Sequence, residues 1–217
     1  PSILIVCLVI LMANPSKSLA ASVWSEPKDI SNSTAALSNP SITAGTEKVF
    51  VSWHTAGGGG TQAEVFLAEK SGNSWSSPLG VNLGTGGSHS IALDNSGMLH
   101  LLYHELESPF LTYYRLFDGD SWTAPIEISE ELGKSSGWPS IAIGSSSTPH
   151  IVWPFTPTGN NARVYYSKLA GSVWTEPQAL TPINTFSYQP RIVVDNSGTV
   201  HIVWVDTRGN NPDAIYY

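Results

Sequence analysis

A unit of about fifty residues recurs through this sequence, and the repeat limits the fold more strongly than any other feature. The clearest copy is residues 190–204, PRIVVDNSGTVHIVW, in which two β-rich runs flank the turn DNSG at 195–198. Asp can bond its own backbone and Gly accepts a positive φ angle, so this turn predicts a tight connection between two strands. Both runs are nearly continuously apolar, which is typical of strands buried on both faces. Such a hairpin needs neighbours, and the sequence contains three more copies.

Each copy continues into further strand-like segments. Equivalent hairpins occur at residues 40–53, 89–103 and 139–153, and each of the four is followed by a third β-rich run. Segments of the form Trp-x-x-Pro then begin at Trp24, Trp75, Trp122 and Trp174, at spacings of 51, 47 and 52 residues. Four strands per unit at this period predict an all-β fold, namely a β-propeller built of four-stranded antiparallel blades.

The repeat also predicts where the blades lie. We expect one domain, residues 21–217, containing blades at 39–78, 88–125, 138–177 and 189–217. The last blade lacks its outer strand, and the Trp24 segment is a separate outer strand. Blades of this size commonly close into rings of about six or seven, so we expect about four blades of a larger ring. The alternative is that the Trp24 segment completes the last blade and closes a ring of four.

The first twenty residues differ from the repeats. Residues 3–13 are eleven apolar residues, fewer than the roughly 20 of a membrane-spanning helix, and Ser18-Leu19-Ala20 fits a small-x-small cleavage site. We predict that residues 1–20 are an N-terminally truncated signal peptide, the alternative being a buried strand or helix. The protein would then be secreted, extracellular or on the cell surface, with the periplasm as an alternative. No membrane insertion is expected after cleavage, and the single cysteine, Cys7, would leave with the peptide.

Charge argues against two classes of partner. The chain has 10 basic and 17 acidic residues. Without Lys17, which lies in the expected signal peptide, 9 basic and 17 acidic residues remain, a net charge of −8. Because an acidic surface repels phosphate groups, we expect neither nucleic acid nor an anionic membrane as a partner.

The turns before the Trp-x-x-Pro segments resemble a known motif. Residues 72–75 (GNSW), 119–122 (GDSW) and 171–174 (GSVW) are similar to the second half of the Asp-box, Ser-x-Asp-x-Gly-x-Thr-Trp, of sialidase-type propellers with BNR repeats. The boxes are degenerate. Where the motif has Asp, this chain has Lys70, Phe117 and Leu169. The resemblance implies the propeller architecture, since in that family the box is a fold-stabilising turn far from the active site.

The resemblance to sialidases also implies a catalytic apparatus, which this chain does not match. That family uses three arginines around a substrate carboxylate, a Tyr–Glu nucleophile pair and an Asp acid/base catalyst. None of the four arginines here stands in the Arg-Ile-Pro setting that opens sialidase domains. We therefore favour a non-catalytic module that binds carbohydrate or another polymer, or mediates surface interactions, without a cofactor. The alternative is a truncated exo-sialidase-type glycoside hydrolase.

Arg191 is the leading candidate for ligand binding. It takes the inner-strand position that is Ser in the other repeats, and inner strands line the axis of a propeller. Alternatively, Arg191 forms an ion pair with a nearby acidic residue and serves packing alone. Loops on the same face supply further candidates, among them aromatic residues that could stack on a sugar or cap the core. The candidate binding residues are Arg191, Trp138, Tyr188, Asp206, Arg208, His104 and Glu105. We expect a glycan or another extracellular polymer as partner, with a protein partner as the alternative.

Two features resemble metal sites, and we interpret neither as one. His100, His150 and His201 lie at equivalent places 50 and 51 residues apart. Equivalent places in different blades are too far apart to share one ion, so we expect buried histidines bonded to a neighbouring strand or blade. Residues 206–213 are rich in oxygen ligands but lack an EF-hand spacing, so we expect an Asx-turn loop.

Overall fold

The architecture is given by a computed structural model of the chain. It describes residues 25–55, 63–83, 86–105, 110–129, 134–135, 137–157, 161–183, 185–208 and 213–217. The expected signal peptide and Trp24 lie outside these residues. The described residues include no helix, and therefore none with the length and apolar character that a membrane span requires.

The strands of the described residues form four antiparallel sheets, which we call blades 1 to 4 in chain order. Blade 1 contains β1 (Leu37–Ala44), β2 (Lys48–Thr55), β3 (Val65–Ser71), β4 (Ser74–Trp75) and β5 (Leu79–Gly80). Blade 2 contains β6 (Gly86–Leu93), β7 (Leu99–Glu105), β8 (Thr112–Phe117) and β9 (Ile126–Glu127). Blade 3 contains β10 (Lys134–Ser135), β11 (Ser140–Ile143), β12 (Pro149–Thr156), β13 (Arg163–Ala170), β14 (Val173–Trp174) and β15 (Gln178–Ala179). Blade 4 contains β16 (Ser187–Val194), β17 (Val200–Asp206) and β18 (Ala214–Tyr216).

The sheets are arranged as blades of a propeller. Within each blade the long strands pair in chain order, and the inner strands β1, β6, β11 and β16 contact one another in succession. This arrangement confirms the predicted all-β propeller. The four sheets form an open arc, and in the described part of the chain blade 4 has three strands. A ring of six or seven blades stays a prediction.

The outer strands are broken, whereas the sequence predicts single strands opening with Trp. In blade 1, β4 ends at Trp75 and β5 begins at Leu79, because the intervening Pro78 has no N–H for the ladder. At the break, the residue after each Trp supplies a side-chain acceptor to the third strand. The hydroxyl oxygens of Ser76, Thr123 and Thr175 accept the third-strand N–H groups of Glu69, Leu116 and Lys168 at 3.0, 3.0 and 3.1 Å. The pattern Trp-Ser/Thr-x-Pro therefore encodes an interrupted strand that keeps its hydrogen bonding.

The segment before blade 1 forms no strand. Residues 25–36 are irregular up to the start of β1, and in the described residues none of them pairs with blade 4. The alternative prediction of a closed ring of four blades is therefore not realised within the described residues.

The hydrophobic core lies between the blades rather than within one of them. Each interface packs the face of one blade against the opposite face of the next. Between blades 2 and 3, Leu102 of β7 meets the fully buried Trp153 and Phe155 of β12. Between blades 3 and 4, Val152 of β12 packs with Ile192 of β16. A blade is therefore stabilised mainly by its neighbours, as expected of a repeat fold.

The outward face of blade 4 corrects one prediction. The apolar runs of residues 190–204 are expected to be buried on both faces, yet Val203 is 38% exposed. Val152, which holds the same place in blade 3, is 0% exposed. The difference arises because no described element packs against the outward face of blade 4, so its hairpin is buried on one face only.

The hairpin turns have the geometry that the sequence predicts. Asp195 Oδ1 accepts the N–H groups of Ser197 and Thr199 at 2.8 and 2.9 Å, and Gly198 has a φ angle of 85°. Asp94 and Gly97 form the same turn in blade 2. The Ser197 hydroxyl and the backbone donors of this turn lower the pKa of Asp195. Each such turn is an Asx-turn closed by a glycine in the left-handed region.

Candidate functional site

The inner strands begin with irregular backbone. Register shifts interrupt the pairing of β1, β6 and β16 near their first residues. Asn39, Trp138 and Gln189, at equivalent places in three blades, have positive φ angles of 49°, 50° and 50°. Such angles are uncommon for residues other than glycine and persist where the surrounding structure imposes them. Two of the three residues, Asn39 and Trp138, border the cleft described next.

A cleft of about 300 Å³ lies where the four inner strands approach one another. We call it the axial cleft. Its size is at the lower end of the range for small-molecule sites, roughly 300 to 1,000 Å³. All four blades contribute to it. Its lining residues are Asn39, Pro40, Ser41, Ile42, Ser88, His89, Ser90, Trp138, Pro139, Ser140 and Arg191.

The axial cleft is polar and carries one permanent cation. Among its lining residues there is no Asp or Glu, and Arg191 is the single Arg or Lys. The Arg191 side chain is exposed, and its Nη1 donates to the carbonyl oxygen of Pro190 at 2.9 Å. No carboxylate of the described residues forms an ion pair with it. The guanidinium therefore keeps donors available for an incoming anion.

The serines equivalent to Arg191 have a structural role. The Oγ atoms of Ser41, Ser90 and Ser140 accept hydrogen bonds from backbone N–H groups one blade further on, those of Ile91, Ile141 and Ile192, at 3.3, 3.4 and 3.4 Å. Each serine thus ties its inner strand to the next one. Arginine has no acceptor and cannot form this bond. Arg191 therefore departs from the structural function of its repeat position, although it lines the cleft as the three serines do.

Trp138 supplies an aromatic surface at the same cleft. The side chain is 40% exposed although it lies at the start of an inner strand. A partly exposed indole offers a flat apolar face and an N–H donor. Trp138 and Arg191 come from adjacent blades, so the cleft combines a stacking surface with a cation.

Two histidines at the cleft, His89 in its lining and His54 behind it, were not among the predicted site residues. His89 is buried, its Nε2 lies 2.8 Å from Ser52 Oγ, and burial lowers its pKa to about 4. His54 lies 6.1 Å away between ring centroids, and its Nε2 is 2.8 Å from Asn39 Nδ2. The repeat contains a sequence signal for His89, because this histidine takes the place of a proline found at positions 40, 139 and 190. These histidines connect blade 1 to blade 2 and hold Asn39 at the edge of the cleft.

Tyr188 and Asp206 do not line the axial cleft. The Tyr188 hydroxyl donates to Asp213 Oδ2 at 2.6 Å, and this hydrogen bond raises the pKa of Tyr188. Asp206 is fully buried. Its Oδ2 accepts hydrogen bonds from Ser187 Oγ, Trp204 Nε1 and Arg208 Nε, each at 3.1 Å. Asp206 therefore fixes the start of its loop, and residues 209–212 of that loop lie outside the described residues.

The remaining three predicted residues also lie outside the cleft lining. The Arg208 guanidinium covers the ring of Tyr216 at 4.4 Å while it pairs with Asp206. His104 is buried, and desolvation lowers its pKa to about 4. Glu105 ends β7, where its N–H donates to the Leu111 carbonyl at 2.9 Å. The structure brings Arg191 and Trp138 together in one cleft and places the other five candidates outside its lining.

The three equivalent histidines each pair within their own blade. Nδ1 of His100, His150 and His201 lies 2.7 to 2.8 Å from the hydroxyl of Tyr114, Tyr166 and Tyr217 on the adjacent strand. This is the bonding to a neighbouring strand that the sequence predicts. His100 and His150 are buried as expected, whereas His201 is partly exposed because it lies on the uncovered face of blade 4. The described residues contain no group of three or more His, Cys, Asp or Glu side chains placed to hold a metal ion.

Comparisons with known proteins agree on the fold. Neither family models nor curated protein sequences match this chain. Among solved structures, a protein of unknown function from Dyadobacter fermentans DSM 18053 is similar over 83% of this chain and 65% of its own, with a TM-score of 0.63 and 12% identity. An endo-arabinase from Bacteroides thetaiotaomicron VPI-5482 is similar over 82% and 72%, with a TM-score of 0.56 and 13% identity. A polysaccharide lyase described as a PL25 ulvan lyase is similar over 79% and 48%, with a TM-score of 0.59 and 12% identity. At this identity the likeness shows the fold alone, and the chain spans about two thirds of the first structure.

Proposed function

We propose that this protein is an exported, non-catalytic propeller that binds carbohydrate in the axial cleft and prefers acidic sugars. The observation that carries the proposal is the presence in one cleft of a partly exposed tryptophan and of an arginine that forms no ion pair with a carboxylate of the described residues. A guanidinium binds a carboxylate through charge-assisted hydrogen bonds, and an indole stacks on the apolar face of a sugar ring. Likeness in fold to an endo-arabinase and a polysaccharide lyase supports a carbohydrate ligand.

The charge of the cleft favours binding over hydrolysis. Glycoside hydrolases generally use two carboxyl groups on either side of the scissile bond. The residues that line the axial cleft include no carboxylate. Tyr188 donates to a carboxylate, Asp213, but neither residue lines the axial cleft. The alternative of a truncated sialidase-type hydrolase therefore has less support from the described residues.

The test compares two sugars that differ mainly in one carboxylate. Calorimetric titration of the protein with D-glucuronate and D-glucose is expected to show tighter binding of glucuronate. The substitution Arg191→Ser should weaken glucuronate binding about tenfold and bring the two sugars to similar affinities, since a hydrogen bond to a charged group contributes roughly 1.5 to 3 kcal/mol. Because Arg191 is exposed, we expect the lower end of that range. Trp138→Ala should weaken both sugars.

Two variants serve as matched controls. Lys168→Ser removes an exposed cation and Phe186→Ala removes an exposed aromatic ring, both outside the cleft lining. Both should bind the two sugars as the unmodified protein does. Equal binding of glucuronate by the unmodified protein and Arg191→Ser would contradict the proposal. Release of product from a glycoside would contradict its non-catalytic part.

A further inference from the structure

The interface between blades 1 and 2 is polar at a place where the other internal interfaces are apolar. Ser52, Leu102 and Val152 hold this place in blades 1, 2 and 3, each opposite the repeated serine of its inner strand. Ser52 Oγ lies 2.8 Å from Nε2 of His89, which itself replaces a repeated proline. Both side chains are buried, and buried polar groups cost free energy unless they are bonded to each other. This pair borders the axial cleft, and it departs from the repeat as Arg191 does.

The hydrogen bonds of His89 are satisfied within the protein. Its Nδ1 lies 3.4 Å from the carbonyl oxygen of Gly87, which can only accept, so Nδ1 carries the proton. Nε2 then accepts from the hydroxyl of Ser52. Burial lowers the pKa of His89 to about 4, which keeps the ring neutral near pH 7. His89 therefore forms a neutral wall of the cleft, and both of its ring nitrogens are already bonded.

The ring of His54 is held in one tautomer behind this wall. Its Nδ1 lies 2.8 Å from the carbonyl oxygen of Thr55, so Nδ1 carries the proton and Nε2 of the neutral ring is an acceptor. Nδ2 of Asn39 lies 2.8 Å from this Nε2 and donates to it. The opposite orientation of the Asn39 amide would bring its oxygen against the lone pair of Nε2, which is unfavourable. His54 therefore decides which end of the amide faces away from it.

The oxygen of the Asn39 amide is an acceptor held at the cleft. Asn39 is exposed and lines the cleft from blade 1, and its Oδ1 accepts no hydrogen bond from the described residues. Arg191 lines the same cleft from blade 4, and a guanidinium has donors only. The cleft therefore combines a donor for an anion with an acceptor for a hydroxyl group.

We infer that Asn39 is a specificity-determining residue of the axial cleft, where its Oδ1 accepts a hydrogen bond from a hydroxyl of the bound sugar. Uronic acids carry both groups that the cleft can bind, a carboxylate for Arg191 and hydroxyl donors for Asn39. The cleft should therefore select uronic acids over carboxylates without hydroxyl groups. His54 is a positioning residue, because it acts on the ligand through the Asn39 amide. This inference rests on the binding of acidic sugars proposed above.

The test compares two acids that share a six-membered ring and a carboxylate. D-Glucuronate carries hydroxyl groups on this ring, whereas tetrahydropyran-2-carboxylate carries none. In calorimetric titrations the unmodified protein should bind glucuronate more tightly. Asn39→Gly removes the amide at a place whose φ angle of 49° suits glycine. This variant should bind glucuronate about fivefold more weakly, the effect of one typical hydrogen bond, and should bind tetrahydropyran-2-carboxylate as before.

Gln189→Gly is the matched control for the Asn39 substitution. Gln189 holds the same place in blade 4 with a φ angle of 50°, but it lies outside the cleft lining. This variant should bind both acids as the unmodified protein does. Circular dichroism of each variant will verify that the fold is retained.

Two substitutions of His54 test its positioning role. His54→Gln keeps a side-chain acceptor for the Asn39 amide and should bind glucuronate as the unmodified protein does. His54→Leu has no acceptor, so it should weaken glucuronate binding about twofold and leave the binding of tetrahydropyran-2-carboxylate unchanged. A merely structural role of His54 would change the binding of both acids alike.

The outcomes separate this inference from the proposed function. If Asn39→Gly leaves glucuronate binding unchanged, or weakens the binding of both acids equally, the inference is overturned and the proposed function stands. An equal effect of Gln189→Gly would also overturn the inference. If the unmodified protein binds neither acid, the proposed function fails and the inference fails with it.

Discussion

Ser140 Oγ accepts a hydrogen bond at 3.4 Å from the backbone N–H of Ile192, a residue 52 positions further along the chain and in the next blade. The same bond joins Ser41 to Ile91 and Ser90 to Ile141. A short polar side chain therefore connects each inner strand to its neighbour close to the propeller axis. The repeated serine is explained by this bond, and Arg191 is recognised as the exception to it.

Replacing Ser140 should destabilise the fold. Ser140→Ala removes the acceptor of the Ile192 N–H in a buried place, which costs about 1 kcal/mol or somewhat more. Urea unfolding should show a lower midpoint with an unchanged slope. Ser145→Ala, at an exposed turn position of the same blade, should change stability by less than about 0.5 kcal/mol. Equal effects of the two substitutions would show that the Ser140 bond does not stabilise the blade contact.

Thr123 should stabilise the fold through its hydroxyl group rather than through the shape of its side chain. Its Oγ1 accepts the N–H of Leu116 beside the break in the outer strand of blade 2. Thr123→Ala should lower the free energy of unfolding by about 0.5 to 1 kcal/mol, whereas Thr123→Ser, which keeps the acceptor, should cost less. Thermal unfolding of the two variants distinguishes these outcomes. A similar loss in both would assign the effect to the missing methyl group instead.

Stability should fall as the pH is lowered below about 6.5, partly because of His89. Burial lowers the pKa of His89 from 6.5 to about 4, so the unfolded chain binds a proton in this window while the folded chain does not. Unfolding is therefore favoured as the pH decreases from about 6.5 to about 4. Between pH 7 and pH 5 the loss due to His89 is about 2 kcal/mol. Urea titrations at both pH values should show a smaller difference for His89→Asn, and an unchanged difference would refute this assignment.

The hairpin glycines should tolerate asparagine better than alanine. Gly198 has a φ angle of 85° and nothing lies within 4 Å of the place where a Cβ would stand, so the cost of substitution is conformational. Gly198→Ala should destabilise blade 4 by about 1 kcal/mol. Gly198→Asn should cost less, because Asn visits the left-handed region more readily. Thermal midpoints that order the two variants the other way would contradict this account.

Most of the fold could be predicted from the repeat, because strand pattern and turn chemistry are local properties of the sequence. The Asx-turn at Asp195 and the pairing of each repeated histidine with a neighbouring strand are examples. The break at Pro78 was not predicted, since it depends on how Ser76 supplies a side-chain acceptor to the third strand. The exposure of Val203 was not predicted either, because burial in a propeller is decided by the adjacent blade.

The candidate site was harder to predict than the fold. A repeat alignment identifies positions near the axis, and in this way it placed Arg191 and Trp138, which line one cleft. The repeat alignment does not show which side chains near the loops are buried. The sequence predicts Asp206 as the first residue of a polar loop, yet it ends β17 and is fully buried under three hydrogen-bond donors. His89 departs from the repeated proline as Arg191 departs from the repeated serine, and this departure is the sequence signal for it.

The most direct test of the axial cleft is an NMR titration of the ¹⁵N-labelled protein with D-glucuronate. The side-chain N–H signals of Trp138 and Arg191 should shift together and saturate at the same glucuronate concentration. The backbone signals of the hairpin turns at Asp94 and Asp195, which lie outside the cleft lining, should stay unchanged. Shifts confined to those turns, or a saturable response that leaves Trp138 and Arg191 unaffected, would contradict carbohydrate binding in the axial cleft.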